Sequence, residues 1–369
     1  MAKYQYMPLN DNVEEMFIGP FGSSLKNDAF VDESDAFCMV YEQKHAIKKT
    51  MNVETRYVNC DKYEELKRFN IKGGDIIVSC RGTIGETYIV PDDAPLGIMH
   101  PSIMKIRLKS GVYNKQYFNL LLRNYLKRHE DEANGSGIKM AISAKELGAT
   151  LFPVPNMAEQ DQIASAFEQL EELITLRKEQ LAALDQLVKS RFIELFGDCD
   201  KEECLGNIAT FIKTGKLDAN AEDKDGSYPF FTCDSVPKRI NQYAFDMEAI
   251  LISGNGSQVG HIHYYNGKFN AYQRTYVVSQ FASDFDIRFL QTYLRMELKP
   301  YIMKNKKGSA IPYITLPMLQ NFAVLKPPIE LQEQFSTFVE QTDKSKLAIQ
   351  RSLDELETLK KALMQKYFG

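Results

Sequence analysis

Apolar residues recur every seven positions at Phe167, Ile174, Leu181, Val188 and Leu195, with Ile163, Leu170 and Leu184 in the interleaved places. Such a pattern lays one apolar stripe along a helix. It predicts a coiled-coil seam over residues 160–196, on the order of 50 Å long at about 1.5 Å rise per residue. A second long helix is predicted over 332–368, with its seam at Phe335, Val339, Ile349, Leu353, Leu356, Leu363 and Tyr367. Basic residues interrupt both seams: Arg177 and Arg191 in the first, Lys346 and Lys360 on the other row of the second. A buried polar seam residue selects partner and register at a cost in stability. Interruptions on different rows point to the two helices pairing with each other, antiparallel, rather than each with its own copy. The alternative is that the basic residues lie at a solvated seam edge. The pattern leaves open whether the helices meet within one chain or across two.

Ahead of each helix the heptads give way to short β-rich runs with turn punctuation. In residues 1–152 these are Asp75 to Cys80, then Gly82-Thr83-Ile84-Gly85, then Tyr88 to Val90 before Pro91, followed by an amphipathic helix near 117–129. In residues 198–324, Ala249 to Ser253 reads as a buried strand and Asn255-Gly256 as a tight turn. His261 to Tyr265 reads as a strand that ends at Asn266-Gly267, and a helix follows near 289–298. Both stretches are therefore expected to be α+β modules.

The chain also repeats itself. Pro155 to Phe196 aligns without a gap to Pro327 to Phe368, since 327 − 155 = 172 = 368 − 196, and each segment closes on Phe-Gly. Upstream, Gly135-Ser136-Gly137-Ile138 matches Gly308-Ser309-Ala310-Ile311, and Ile76-Ile77-Val78-Ser79 matches Ile250-Leu251-Ile252-Ser253. A period of this size is a domain plus a helix, not a solenoid unit. It implies two similar modules in a pseudo-two-fold arrangement. One difference stands out: the second helix opens on Gln332-Glu333-Gln334 where the first has Glu159-Gln160, so the helix starts are expected to differ in detail.

Composition is that of a folded globular chain, and no apolar run approaches the roughly 18–20 residues of a membrane span. The N-terminus carries no signal-peptide core. Six scattered cysteines (Cys38, Cys60, Cys80, Cys199, Cys204, Cys233) read as reduced thiols in a cytoplasmic protein, without metal-type spacing. The net charge of −4 argues by itself against a nucleic-acid binder, but local basic clusters fall in the presumed loops, at Lys213 and Lys216, Lys238-Arg239, and Lys304 to Lys307. The motifs of phosphate loops, dinucleotide folds, nucleophile elbows, zinc peptidases and amino-methyltransferases are missing from the sequence. His261 and His263 share one face of a strand, but with no nearby Cys or Asp pattern they read as structural residues, and no metal is expected.

With an α+β module before each Pro- and Gln-rich helix start, the whole chain resembles a specificity subunit of a type I restriction-modification enzyme. The resemblance is carried by Gly19-Pro-Phe-Gly-Ser-Ser-Leu-Lys26 and by Gly74-Asp-Ile-Ile-Val-Ser-Cys-Arg-Gly-Thr-Ile-Gly85. In the second half it is carried by Tyr228-Pro-Phe-Phe-Thr232, Ile252-Ser-Gly-Asn-Gly-Ser257 and Lys268-Phe-Asn-Ala-Tyr-Gln-Arg-Thr-Tyr276. It implies target recognition domains over 1–152 and 198–326, and conserved helical spacers over 153–197 and 327–369. It further implies no catalysis by this chain and no cofactor in it. S-adenosylmethionine would sit on two partner methyltransferase subunits, restriction or translocase subunits would join them, and double-stranded DNA with a bipartite target would be the ligand.

Base reading needs amide, hydroxyl or guanidinium side chains on loops held by a rigid sheet. Candidates in the first module are Arg81, Thr83, His100, Ser102, Ser136 and Lys139. In the second they are Lys213, Lys216, Thr232, Asn255, Ser257, Gln273, Arg274, Lys306, Ser309 and Tyr313. Gln273 and Arg274 are the leading pair, as a polar break in an otherwise aromatic strand. The tyrosines Tyr264, Tyr265, Tyr272 and Tyr276 read as sheet packing rather than base-stacking platforms. Two other function classes compete: a coiled-coil adaptor for proteins only, and an enzyme with an unfamiliar site.

Overall fold

Elements in the second half of the computed structural model begin 172 residues after their counterparts in the first, as in 275 − 103 = 172. The pairs are strands Ile103–Leu108 and Thr275–Phe281, helices Lys115–Ser136 and Ile287–Lys304, and short helices Ala144–Ala149 and Leu316–Gln320. Strands Leu151–Val154 and Ala323–Leu325 and the long helices Met157–Phe196 and Ile329–Phe368 complete the series. The structure describes residues 4–136, 143–305 and 312–369, the side chains of 133–136 excepted. It divides into two units, Met1–Arg177 with Ser352–Gly369, and Lys178–Arg351. Each unit thus owns half of each long helix. Among the described residues no helix is long and apolar enough to cross a membrane.

In the first unit a four-stranded sheet runs in the order Val13–Ile18, Ile103–Leu108, Ile76–Ser79, Thr87–Ile89. A second sheet orders Arg56–Val58, Cys38–Tyr41, Gly97–Met99 and Asn70–Ile71. The second unit fuses the equivalents into one six-stranded sheet: Ala209–Thr214, Thr275–Phe281, Phe245–Ser253, Ile262–Ala271, Tyr228–Phe231, Lys238–Ile240. The difference has a local cause. In the first unit Pro91-Asp92-Asp93 and Pro95 separate Thr87–Ile89 from Gly97–Met99, because proline withholds the ladder donor. In the second unit the strand Ile262–Ala271 runs unbroken. The expected turn at Asn266-Gly267 is therefore corrected: both residues pair across to Glu248 and Met247. A hairpin there would need its partner strand downstream, whereas the partner, Phe245–Ser253, precedes it.

Each unit closes its core on aromatic rings from both long helices. In the second unit Phe192 and Phe196 pack on Phe335, and Phe196 packs on Phe289 at 5.2 Å. In the first, Phe368 packs on Tyr117 at 5.6 Å and on Phe167 at 5.9 Å, and Asn124 Nδ2 donates to the Phe368 carbonyl at 2.8 Å. The helices run antiparallel within each unit. Lys360 meets Glu171 (2.6 Å) and Arg177 Nε donates to Ser352 (3.2 Å) in the first. In the second, Lys346 meets Asp185 (2.7 Å) and Arg191 lies 6.0 Å from the Phe338 ring. All four basic seam residues thus engage the facing helix of the same chain. Of the predicted seam, Phe167, Leu170, Ile174, Val188, Val339 and Leu353 are buried, and Leu181, Leu184, Ile349, Leu356 and Leu363 are half-buried.

The helix starts differ in detail, as expected, but around a shared clasp. Gln160 and Gln332 are 0% exposed and make the same three contacts. Gln160 Nε2 donates to the carbonyls of Val112 and Pro155 (3.0 and 2.9 Å), and its Oε1 accepts from Asn114 N–H at 2.9 Å. Gln332 Nε2 donates to the carbonyls of Asp284 and Pro327 (3.1 and 2.8 Å), and its Oε1 accepts from Asp286 N–H at 2.9 Å. Asn114 and Asp286 in turn cap the helices that follow them, accepting from Tyr117 and Phe289 N–H. The carboxamide is the shared feature; beside it the starts differ, since half-buried Glu159 accepts from the Tyr4 hydroxyl at 2.6 Å where the second helix has Leu331 packed against the core.

Replacing Gln160 or Gln332 by Ala strands a buried N–H and two carbonyls. Each substitution is expected to cost about 2–3 kcal/mol, read as a lower denaturant midpoint, while Gln162→Ala on the exposed face changes stability by less than about 0.5 kcal/mol. Equal effects at all three sites would contradict the clasp.

Candidate nucleic-acid interface

Six backbone hydrogen bonds recur in both units and gather the same loops at one end of each main sheet. The strand Cys38–Tyr41 ends where Tyr41 O accepts from His100 N–H (2.8 Å); Phe231 O accepts from Tyr272 N–H (2.9 Å) in the second unit. Turns close from Ile103 N–H to His100 O (3.2 Å) and from Thr275 N–H to Tyr272 O (2.8 Å). Next, Cys80 N–H donates to Ser102 O and Gly254 N–H to Arg274 O, both at 2.8 Å. Gly19 N–H reaches Ile103 O (2.9 Å), and Gly215 N–H reaches Thr275 O (3.3 Å). Finally Ser79 bonds to Glu86 and Gly85, as Ser253 bonds to His261 and Gly260. Gly19 and Gly215 permit the close approach of the first strand: an added Cβ would lie 2.3 Å from His100 O or 1.7 Å from Ala271 O.

This frame brings most of the candidates together. In the first unit Arg81 and Thr83 are exposed on the loop after Ile76–Ser79, beside the turn that holds His100 and Ser102. In the second, Lys216, Asn255, Ser257, Gln273, Arg274 and Tyr313 lie on the corresponding loops. Tyr313 is 59% exposed and pairs with Asn255 through an isolated bridge, while Ile314 N–H donates to Gly254 O at 2.8 Å. Gln273 and Arg274 do not interrupt a strand, as the sequence suggested. They form the tip of the turn from Tyr272 to Thr275, which carries the chain across the end of Phe245–Ser253. Gln273 Nε2 donates to Asp218 at 3.1 Å. Lys213 stands apart from the loops, on the strand two residues before Gly215, with its ammonium 4.9 Å from the Phe211 ring.

Two candidates are corrected. Ser102 is 5% exposed, with its hydroxyl 2.8 Å from His100 Nδ1, and Thr232 is 2% exposed and donates to Asp234 at 3.0 Å. Both lie beneath the surface and position neighbours rather than face a ligand. Lys139, Lys306 and Ser309 lie outside the described residues, as does the Ser136 side chain. The tyrosines behave as packing residues: Tyr276 is buried with its hydroxyl on Ile314 O, Tyr265 packs on Phe231 and Phe269, and Tyr264 bonds to Glu248.

The sequence reading missed three residues of this surface. Cys233 Sγ donates to Asn255 Oδ1 at 3.1 Å, so the thiol sets the side-chain amide. Gln43 lies under Gly82 of the Arg81 loop, where its Nε2 would be 3.9 Å from an added Cβ. Glu42 is buried in ion pairs with Lys44 (2.7 Å) and Arg56. All three follow the strand Cys38–Tyr41 or Tyr228–Phe231, whose offset of 190 differs from 172 and hides the correspondence in an ungapped comparison. His261 and His263 meet edge to face (ring centroids 4.5 Å apart), and His263 Nε2 lies 3.1 Å from Asp234 O. Among the described residues no group of three or more His, Cys, Asp or Glu is placed to hold a metal ion.

Four histidines border these loops, and all are held below the ordinary value of 6.5. Burial lowers His45, His100 and His263; burial and the adjacent His263 lower His261. The unfolded chain therefore takes up these protons more readily than the folded one. Stability is present above 6.5 and declines as pH falls through that value toward the folded pKa values. The unfolding midpoint is expected to drop between pH 7 and pH 5.5, above the range in which carboxylates protonate. A midpoint that rises over that interval would contradict the assignment.

Comparison with known proteins agrees with this geometry. The family model described as the type I restriction modification DNA specificity domain matches twice, over residues 21–186 and 201–358. The chain is 41% identical to the type I restriction enzyme EcoDI specificity subunit of Escherichia coli over 157 residues, 42% of this chain and 34% of that one. That match thus spans about a third of the relative. To the MjaIX specificity subunit of Methanocaldococcus jannaschii it is 22% identical over 337 residues, 79% of this chain and 76% of the relative. Among solved structures, the type I restriction-modification S subunit from M. genitalium aligns with a TM-score of 0.64 at 15% identity, covering 100% of this chain and 97% of the other. A chain from a study of type I complex assembly and conformational transition aligns at 0.59 and 17%, covering 100% and 98%. At these identities the structural matches speak for the fold alone.

Proposed function

The chain belongs to the type I restriction-modification DNA specificity family, and on that premise we propose that it reads a bipartite double-stranded DNA target without catalysing a reaction. Each loop platform meets one half-site. Two methyltransferase subunits, carrying S-adenosylmethionine, dock on the chain, and restriction subunits join the same cytoplasmic assembly. The observation that carries this reading is the duplicated hydrogen-bond frame, which presents a polar loop surface once per unit. Two copies of one platform suit a target in two parts, as paired readers suit spaced half-sites. The long helices, 40 residues each, would act as the coiled-coil spacer that sets the gap.

The overall charge of −4 gives no general attraction to phosphate. Contact must come from local cations such as Lys216 and Arg274, so the chain alone should bind DNA weakly and lose it readily with salt. The same charge favours a second reading, a protein-only adaptor. Co-expression with methyltransferase subunits, followed by sequencing for methylated adenine across host DNA, separates the two. A split motif with a fixed gap is expected. A stable complex that yields no motif would favour the adaptor, and methylation by the purified chain alone would contradict the non-catalytic role.

Deleting one heptad within 170–190 should shift or abolish the preferred gap while leaving both half-site sequences as they were. An unchanged gap would remove the spacer role.

A further inference from the structure

The repeated frame allows the two platforms to be compared place by place, and their exposed chemistry is not the same. Cys80 and Gly254 are equivalent because each donates to the last residue of the facing turn, Ser102 or Arg274. The next residue on the first loop is then Arg81 in one unit and Asn255 in the other. Within the turn, Pro101 corresponds to Gln273, and buried Ser102 corresponds to exposed Arg274. The two places are neighbours, since the bond from residue 80 to 102, or 254 to 274, ties their backbones together at 2.8 Å.

Each platform therefore carries one exposed arginine at this pair of places, but from opposite loops. In the first unit the guanidinium comes from the loop, over a small buried hydroxyl. In the second it comes from the turn, beside a carboxamide. Neither Arg81 nor Arg274 is seen in a side-chain ion pair among the described residues, which leaves their donors available. Each nearby carboxamide has one atom engaged: Asn255 Oδ1 accepts from Cys233, and Gln273 Nε2 donates to Asp218. A guanidinium offers a rigid fork of donors that matches the O6 and N7 acceptors of guanine in the major groove.

We propose, resting on the DNA-reading function above, that Arg81 and Arg274 are the guanine-reading residues of the two half-sites. Because they stand on different loops of one frame, the guanine occupies a different position relative to each platform. Cys233 and Ser102 are positioning residues beneath them.

The test uses the full chain co-expressed with its methyltransferase subunits, with methylated adenines mapped across host DNA. Arg81→Asn gives the first unit the residue that the second has at that place, and Arg274→Ser makes the reverse change. Each should relax one guanine in one half-site, cutting discrimination there on the order of 10- to 100-fold, while the other half-site and the gap stay as in wild type. Arg81→Lys and Arg274→Lys keep the charge without the fork and should relax the same positions. An unchanged motif in all four variants overturns the proposal. So does a uniform fall in modification at every site with base preference intact, the pattern of a phosphate contact. If the wild-type complex itself yields no motif, the DNA-reading function fails first, and the two failures are thereby told apart.

Discussion

One buried carboxamide in each half, Gln160 or Gln332, ties the first turn of a long helix to the chain entering it and to the cap of the preceding helix. Each satisfies three backbone groups that no strand or helix ladder reaches. Unsatisfied, those groups would cost more than the contacts around them return. The angle at which each long helix leaves its α+β core follows from this clasp. So does the approach of the opposite helix end, where Phe196 or Phe368 packs on the helix that the clasp has capped.

The loop platform is the second consequence. A sheet held by the clasped helix keeps the same strand order in both units, from Val13–Ile18 or Ala209–Thr214 inward. The turn after the last strand end is fixed by the shared backbone bonds, with the side chains of Ser102 and Cys233 beneath it. Side chains on the loops are thereby released from structural duty, and Arg81, Thr83, Ser257 and Arg274 can vary without disturbing the frame. Ser102, Thr232 and Cys233 are the exceptions, since they sit under it. The first unit adds a constraint that the second lacks: Lys105 is fully buried between Glu15 and the Asn70 carbonyl, next to the Arg107–Asp75 pair. At the equivalent place the second unit has Val277.

Much of this was legible in the sequence because it is periodic. The seam from Phe167 to Leu363 and the 172-residue repeat depend only on spacing, and a burial pattern of period seven survives any change of surface letters. The Gln160–Gln332 equivalence was present in the same alignment but masked by the differing neighbours Glu159 and Leu331. What the sequence could not display is adjacency across long separations. Cys233 and Asn255 meet only once three strands are in register, and Gln43 and Gly82 only once the ends of two different sheets come together. Gln273-Arg274 looked like strand residues because aromatic letters flank them, and the turn becomes visible only through the Thr275 to Tyr272 bond. Asn266-Gly267 misled in the opposite sense: its turn propensity was overridden by pairing with Phe245–Ser253.

The central claim is that two equivalent platforms act independently on the two parts of one DNA target. The most direct measurement replaces residues 1–152 with the corresponding module of another specificity subunit and maps methylated adenines in the assembled complex. The account predicts that one half-site changes while the other half-site and the gap are retained. A change in both half-sites, or a chimera that assembles and keeps the parental motif, would contradict it.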